Sequence, residues 1–473
     1  MASPDLFWTA LTVAQFAASI AVTGHALLHK RNTVSATAWI TLAWFAPGVG
    51  AALYLALGIN RVERRARRLH RRVHPMRDAN LPCLADSPHL FPMDIVIGRI
   101  TGRSCLDGAT VEILRHGVAA YPRMLEAIAG AQTSIALTSY IFRDDMIGRA
   151  FIDALATAAR RGVQVRVLID AVGGGYPFTL AWRQLRARDV PAARFLHSIL
   201  PWRTPILNLR LHRKLLVVDG AVAFTGGLNI GAENLPSMTP ARRVRRAAVR
   251  DTHFRIAGPV VAQAVAVFAE DWRFTTGETL AGPDWFPPLA PHGPSFARVV
   301  TSGPDHEIER IKAVLLTAIG AARSRIRVMT PYFLPDQPLA LALELAALRG
   351  VDVGVVVPSR SDNRLVDWST HDGLVGMIAA GCQVWHCAPP FDHSKLMVVD
   401  GTWCMIGSAN WDSRSLRLNF ELNVEISDPA LAAQLEALMA GLELHQVRAR
   451  RVTSRSLPIR LRDAACRLLL PYL

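Results

Sequence analysis

Polar and apolar positions change rhythm several times along the chain. From Leu6 to Leu28 no formal charge interrupts 23 residues, and from Val34 to Ile59 a second uncharged run continues for 26. At ~1.5 Å per residue, each is long enough to cross about 30 Å of hydrocarbon as a helix, and the pattern predicts two transmembrane helices. Pro47, Gly48 and Gly50 interrupt the second run, so a kink is expected there. The opening Met-Ala-Ser-Pro-Asp carries no basic n-region, and the second run follows at once. The pair therefore reads as a retained hairpin and not as a cleaved leader.

Beyond residue 94 the pattern becomes that of alternating strands and helices, and it occurs twice. Residues 125–170 read as helix, a strand ending in Thr138-Ser139-Tyr140, helix, and the apolar strand closing at Asp170. Residues 311–357 repeat that order, with Thr330-Pro331-Tyr332 at the end of the first strand. An Arg-Gly-Val break precedes each second strand, at 161–163 and 349–351. This alternation predicts an α/β class with a largely parallel sheet in each copy. Turn formers in 79–93 and 276–295 mark linkers. The expected division is a membrane hairpin over 1–60, a basic juxtamembrane segment and linker over 61–93, repeats over 94–285 and 286–447, and a basic amphipathic tail over 448–473.

Charge narrows the choice of partner. Lys and Arg number 53 against 38 Asp and Glu, a net charge of +15, which calls for an anionic partner. The excess is confined to three patches: residues 1–78, Arg242 to Arg250, and the tail from His445. Two of these flank apolar segments, which favours an anionic membrane surface over a nucleic-acid groove. Seven arginines between Arg61 and Arg72, against Lys30 and Arg31 between the two apolar runs, predict a cytoplasmic location for everything downstream. The six cysteines show no framework spacing and read as free thiols. Cys382, His386 and Cys387 are read as strand packing and not as a metal site.

The chemistry-bearing residues also recur. His212, Lys214 and Asp219 form HxKxxxxD, followed by Gly226, Gly227 and Asn229. His393, Lys395 and Asp400 stand at the same spacings, followed by Gly407, Ser408 and Asn410. A single His-x-Lys is usually just solvated, whereas recurrence of the whole 18-residue pattern in both repeats marks a site. On a strand, His and Lys two residues apart share a face. An imidazole can attack phosphorus there, while an ammonium and an Asn amide stabilise the nonbridging oxygens. Asp219 and Asp400 stand among the motif's candidate catalytic residues, although a turn Gly after each favours loop bracing. Gly173, Gly174 and Gly175 lack a Lys-Ser/Thr signature and read as a flexible connection at the mouth of the site and not as a phosphate cradle.

These motifs resemble the phospholipase D superfamily, whose hallmark is a duplicated HxKxxxxDxxxxxxG(G/S)xN. The resemblance implies two tandem α/β/α sandwich repeats with one active site between them, and transfer through a phosphohistidine without metal or other cofactor. It makes His212 the nucleophile and His393 the general acid and base. It also sets a carboxylate against each histidine, with Glu421 in the second half and Asp251 the candidate in the first. Within the superfamily, the N-terminal hairpin, Arg250-Asp251-Thr252-His253 and the 330–336 element resemble bacterial-type cardiolipin synthases. The implied reaction joins two phosphatidylglycerols into cardiolipin and glycerol at the cell (inner) membrane, with no nucleic-acid partner. Left open are a phospholipase D hydrolase, another donor or acceptor, and a membrane-tethered nuclease. The basic stretch 242–250 could gather headgroups, and the tail from Pro458 reads as an interfacial helix.

Overall fold

The computed structural model describes residues 4–30, 33–58, 87–176, 178–196, 209–235, 248–304, 307–448 and 454–467. They divide into two compact units, one near the N-terminus and one holding both repeats.

In the first unit, Pro4–His29 is a helix of 26 residues. Its stretch Leu6–His29 has the length and the mean hydropathy, 1.5, of a membrane span. The second apolar run bends where a kink was expected, but its helix is too short for the expected span. It forms a 13-residue helix, Thr33–Phe45, then bends and continues as Val49–Leu53 and a π turn, Tyr54–Gly58. Thirteen residues rise only about 20 Å, so among the described residues only one helix is long and apolar enough to cross alone. The break has a local cause: Pro47 cannot donate to the preceding turn, and Gly48 sits at φ 82°. Within this unit Ala26, Ala43 and Ala51 allow close approach. The Ser19 hydroxyl donates to the Ala43 carbonyl at 2.6 Å, and the Trp44 indole to the Thr23 hydroxyl at 3.0 Å. Both are pairings of the kind that hold helices together without water. Arg61 to Arg72 lie outside the described residues.

In the second unit the repeated order appears as expected. His116–Gly130, Ser134–Ser139, Met146–Arg160 and Gln164–Asp170 correspond to Arg310–Ala321, Arg325–Met329, Gln337–Leu348 and Asp352–Pro358. Asp145 and Asp336 cap the second helix of each set by accepting from backbone N–H groups of the first turn. Each repeat contains three parallel strands: Ser134–Ser139, Gln164–Asp170 and Ala192–Phe195 in one, Arg325–Met329, Asp352–Pro358 and Gln383–Cys387 in the other.

The expectation of a largely parallel sheet is otherwise corrected, because one mixed sheet runs through the unit and much of its pairing is antiparallel. Asp219-Gly220 and Asp400-Gly401 adopt left-handed φ angles of 52°, 60°, 50° and 64°. That turn chemistry folds each motif into a hairpin, Leu215–Val218 on Val222–Gly226 and Leu396–Val399 on Trp403–Gly407. The repeats meet where Leu106–Arg115 pairs antiparallel with Ser295–Ser302.

Two short crossings fix the site. Arg210–Leu211 of the first repeat pairs with the start of Asn419–Ser427 in the second, and Val249–Arg250 pairs with Phe391–Asp392. Cys382, Cys387, Cys404 and Cys466 are free and buried. Cys105 carries a disulfide, which corrects the reading of six free thiols: pairing depends on proximity in the fold, and spacing along the chain does not reveal it.

Candidate active site

His212 and His393 each follow one of the crossing strands. The His212 N–H donates to the Phe420 carbonyl at 2.9 Å, and the His393 N–H to the Arg250 carbonyl at 2.8 Å, so each motif is anchored to the opposite repeat. The expected strand placement does not hold at the histidines themselves: residues 212–214 and 393–395 are irregular, lying just before Leu215–Val218 and Leu396–Val399.

The carboxylates are also exchanged between repeats. Nδ1 of His212 lies 2.9 and 3.0 Å from the two oxygens of Glu421. Nδ1 of His393 lies 2.9 Å from Oδ2 of Asp251. Both residues picked out from the sequence lie against a histidine, in each case that of the other half. The Ser408 hydroxyl donates to Glu421 at 2.5 Å and the Asn419 amide at 3.1 Å. Asp251 accepts from the Thr252 N–H at 2.8 Å. A Cβ on Gly227 would stand 2.4 Å from the Asp251 carboxylate, so the Gly of one motif makes room for a carboxylate where the Ser of the other holds one.

Burial sets the electrostatics. His212 is pushed down to about 4 by burial, with Glu421 opposing and Lys214 adding to the shift. His393 is held well below its ordinary value by burial and by Lys395 and Lys214. Burial pushes Asp251 up to about 7 against the pull of Lys395. Burial also raises Glu421, but the hydrogen-bonded His212, Lys214 and Ser408 outweigh it and keep it below the ordinary range. The two pairs therefore differ. Glu421 is an ionised carboxylate holding a neutral His212 with Nε2 free, whereas the His393–Asp251 pair retains one extra proton up to about neutrality.

Lys214 and Lys395 are almost fully buried, and burial pushes them down to about 7 and about 8. The Lys214 ammonium donates to the His212 carbonyl at 2.7 Å, and that of Lys395 to the His393 carbonyl, leaving two N–H bonds on each. Asn229 accepts from the Ile141 N–H at 3.1 Å, which fixes its amide oxygen. Asn410 hydrogen-bonds Asp412, and its buried amide oxygen has no partner among the described residues. Sequence reasoning passed over the rings: Tyr140 lies edge-on to His212 at 4.9 Å and Tyr332 to His393 at 6.3 Å. Their recurrence in Thr-Ser-Tyr and Thr-Pro-Tyr was the available signal.

Three expectations are settled against chemistry at the site. Asp219 accepts from the N–H groups of Gln132, Thr133 and Ser134, and Asp400 from those of Arg323, Ser324 and Arg325, so both brace the far end of their hairpins. These contacts are those of the bracing role their turns suggested, and none of them reaches a motif histidine. Asp170 accepts from the Val172 and Gly173 N–H groups, and backbone carbonyls take those of Gly174 and Gly175, so that loop is tied down with no donors free for a phosphate. Arg250 donates to the carbonyls of Ala388 and Pro390 and is committed to the crossing. Arg242 to Arg246 lie outside the described residues. Among the described residues no cluster of three His, Cys, Asp or Glu side chains is arranged to hold a metal.

The chain matches the family model described as "cardiolipin synthase, PLD-like domain" over residues 124–272 and 315–442. It is 33% identical to a cardiolipin synthase of Geobacillus kaustophilus over 409 residues, 84% of this chain and 80% of that protein. It is 32% identical to the major cardiolipin synthase of Bacillus subtilis over 464 residues, covering 94% and 95%. Among solved structures, a phosphatidylserine synthase of Haemophilus influenzae aligns with a TM-score of 0.61 at 15% identity, over 81% of this chain and 99% of that one, a likeness of fold.

Proposed function

This chain belongs to the cardiolipin synthase, phospholipase D-like family, and we propose that it joins two phosphatidylglycerols into cardiolipin and glycerol through a covalent phosphatidyl-histidine at His212. The observation that carries the mechanism is the exchange of carboxylates between repeats, which makes one site from both motifs.

Nε2 of His212 attacks the donor phosphorus while the bond to the glycerol headgroup breaks, and His393 gives its proton to the leaving oxygen. The hydroxyl of a second phosphatidylglycerol then attacks, its proton passes to His393, and the phosphorus–nitrogen bond breaks. Glu421 holds His212 in the Nδ1–H tautomer that leaves Nε2 nucleophilic. The proton retained by the His393–Asp251 pair is what the leaving group needs. Lys214, Lys395, Asn229 and Asn410 bind the nonbridging oxygens. Near-complete burial of both histidines favours a lipid alcohol over water in the second step.

The repeats extend over 94–285 and 286–447 in this reading, between the N-terminal hairpin and the basic tail. The enzyme is a membrane protein, with Leu6–His29 as its first span and the bent run through Gly58 as its second. The arginines of 61–72 support a cytoplasmic catalytic unit. Protease protection in oriented vesicles tests that orientation.

Product analysis in phosphatidylglycerol micelles tests the reaction. Wild type yields cardiolipin and glycerol, and His212→Ala and His393→Ala yield neither. Phosphatidic acid from wild type would make it a hydrolase, and no lipid turnover would return a nuclease reading.

A further inference from the structure

A cavity of about 600 Å³ opens at the carboxyl ends of the parallel strands Arg325–Met329, Asp352–Pro358 and Gln383–Cys387. The helix Arg364–Ala379 and the C-terminal helix Leu457–Arg467 flank it. Ligands of open α/β sheets bind at this end of the strands, and the volume is that of a small-molecule site.

Its walls are mixed, and one carboxylate, Asp367, which accepts from the Ser361 N–H, stands among them. Phe333 and Trp368 are apolar, whereas Arg360, Arg364, Arg455 and Arg462 carry positive charge. Arg455 and Arg462 pair with the buried Asp463, and the Arg462 guanidinium lies 4.2 Å over the Trp368 ring, which docks the C-terminal helix. Arg360 and Arg364 are exposed and form no ion pair among the described residues. Beside them the C-terminal helix leaves Leu457 and Leu461, one turn apart, 65% and 61% exposed. Cations beside an apolar face suit an amphiphile with an anionic head.

The cavity and the site share one strand end, with Tyr332 between them. Pro331 and Phe333 line it, and between them Tyr332 turns its ring toward His393 and bonds Asp362 at 2.5 Å. An alcohol entering the second step takes the place the glycerol left, on the His393 side. We propose that this cavity holds the acceptor phospholipid, its phosphate on Arg360 and Arg364, its acyl chains along the Leu457 and Leu461 face, and its free hydroxyl led past Tyr332 to His393. This rests on the phosphatidyl-transfer reading above. The acceptor oxygen bonds phosphorus as the bond to Nε2 of His212 breaks, and the hydroxyl proton passes to Nε2 of His393.

The test reads how the covalent intermediate divides between lipid and water. Full-length enzyme in phosphatidylglycerol micelles is compared with an Arg360→Gln/Arg364→Gln double variant, measuring glycerol, cardiolipin and phosphatidic acid. The variant still releases glycerol, but its ratio of cardiolipin to phosphatidic acid falls about tenfold, as for loss of a charge-assisted contact. Arg360→Lys/Arg364→Lys recovers most of that ratio. An unchanged ratio in the Gln variant overturns the acceptor assignment alone, whereas a wild type that releases no glycerol overturns the transfer reading itself. Inorganic phosphate added to wild type leaves the ratio unchanged. A shift toward phosphatidic acid would mean that a free anion fills the cavity, and would overturn the lipid assignment.

Discussion

Nδ1 of His212 stands 2.9 Å from a carboxylate oxygen of Glu421, a residue 209 positions further along the chain in the other repeat. His393 and Asp251, 142 positions apart, repeat the relationship in the opposite sense. Each half thus supplies one motif imidazole and the carboxylate that holds the other half's, and neither half holds a complete pair.

Exchanged support makes exchanged phenotypes. Glu421→Gln, in the second repeat, slows formation of the covalent intermediate at His212 by about 10²–10⁴-fold. Asp251→Asn, in the first, impairs the acid and base steps of His393 and is rescued in part by a donor whose leaving group needs no proton. Rapid-quench measurement of leaving-group release, glycerol from the natural donor and p-nitrophenol from the activated one, separates the two. Rescue of Glu421→Gln by the activated donor to the same extent would contradict the assignment.

The pH profile follows from the same groups. His212 stays neutral down to about pH 4, so nucleophilicity survives in acid. The acid form of the His393–Asp251 pair is lost as pH rises through about 7, and the Lys214 and Lys395 charges through about 7 and about 8. The kcat/KM for glycerol release is therefore flat from about pH 5 to 6 and falls as pH rises through about 7. An acid limb near pH 6.5, the value of an unperturbed imidazole, would contradict it.

Gly227 admits no side chain. Its Cβ would meet the Asp251 carboxylate at 2.4 Å, so Gly227→Ala displaces that group and costs activity about as much as Asp251→Asn. Ser408→Ala removes one hydrogen bond to Glu421 and costs about 10-fold, near the worth of a charge-assisted bond. Steady-state rates of the three variants, with melting temperatures to exclude unfolding, check the order.

Much of this was legible beforehand, for physical reasons. The recurring strand and helix periods located both repeats, and recurrence of His, Lys and Asn at fixed spacing located the site. The Asp-Gly pairs at 219 and 400 carried the signal of a strand, a turn and a second short strand, the antiparallel hairpins that break the parallel order. The crossing of Glu421 and Asp251 was not legible, because it depends on contact between residues more than a hundred positions apart. In the N-terminal unit hydropathy marked both apolar runs and Pro47 and Gly48 marked the bend in the second, but not that the helix before it would be only 13 residues long.

Asp400 acts on the fold. Burial works against its charge, but backbone donors from Arg325, Arg323 and Ser324 and the His89 ring hold it down to about 2. Its contribution is present above the ordinary carboxylate range and is lost as pH falls from about 4 to about 2. Asp400→Asn and Asp219→Asn each destabilise by about 1–3 kcal/mol, read by denaturant titration, and keep activity within a few-fold below the melting transition.

The most direct measurement is to trap the covalent intermediate. His393→Ala, given a radiolabelled phosphatidyl donor with a p-nitrophenol leaving group, is quenched in alkali and its peptides are mapped. An acid-labile, alkali-stable adduct on the peptide containing His212, absent from His212→Ala, is the result expected. Label on the peptide containing His393, in wild type or in His212→Ala, would contradict the assignment of nucleophile and acid.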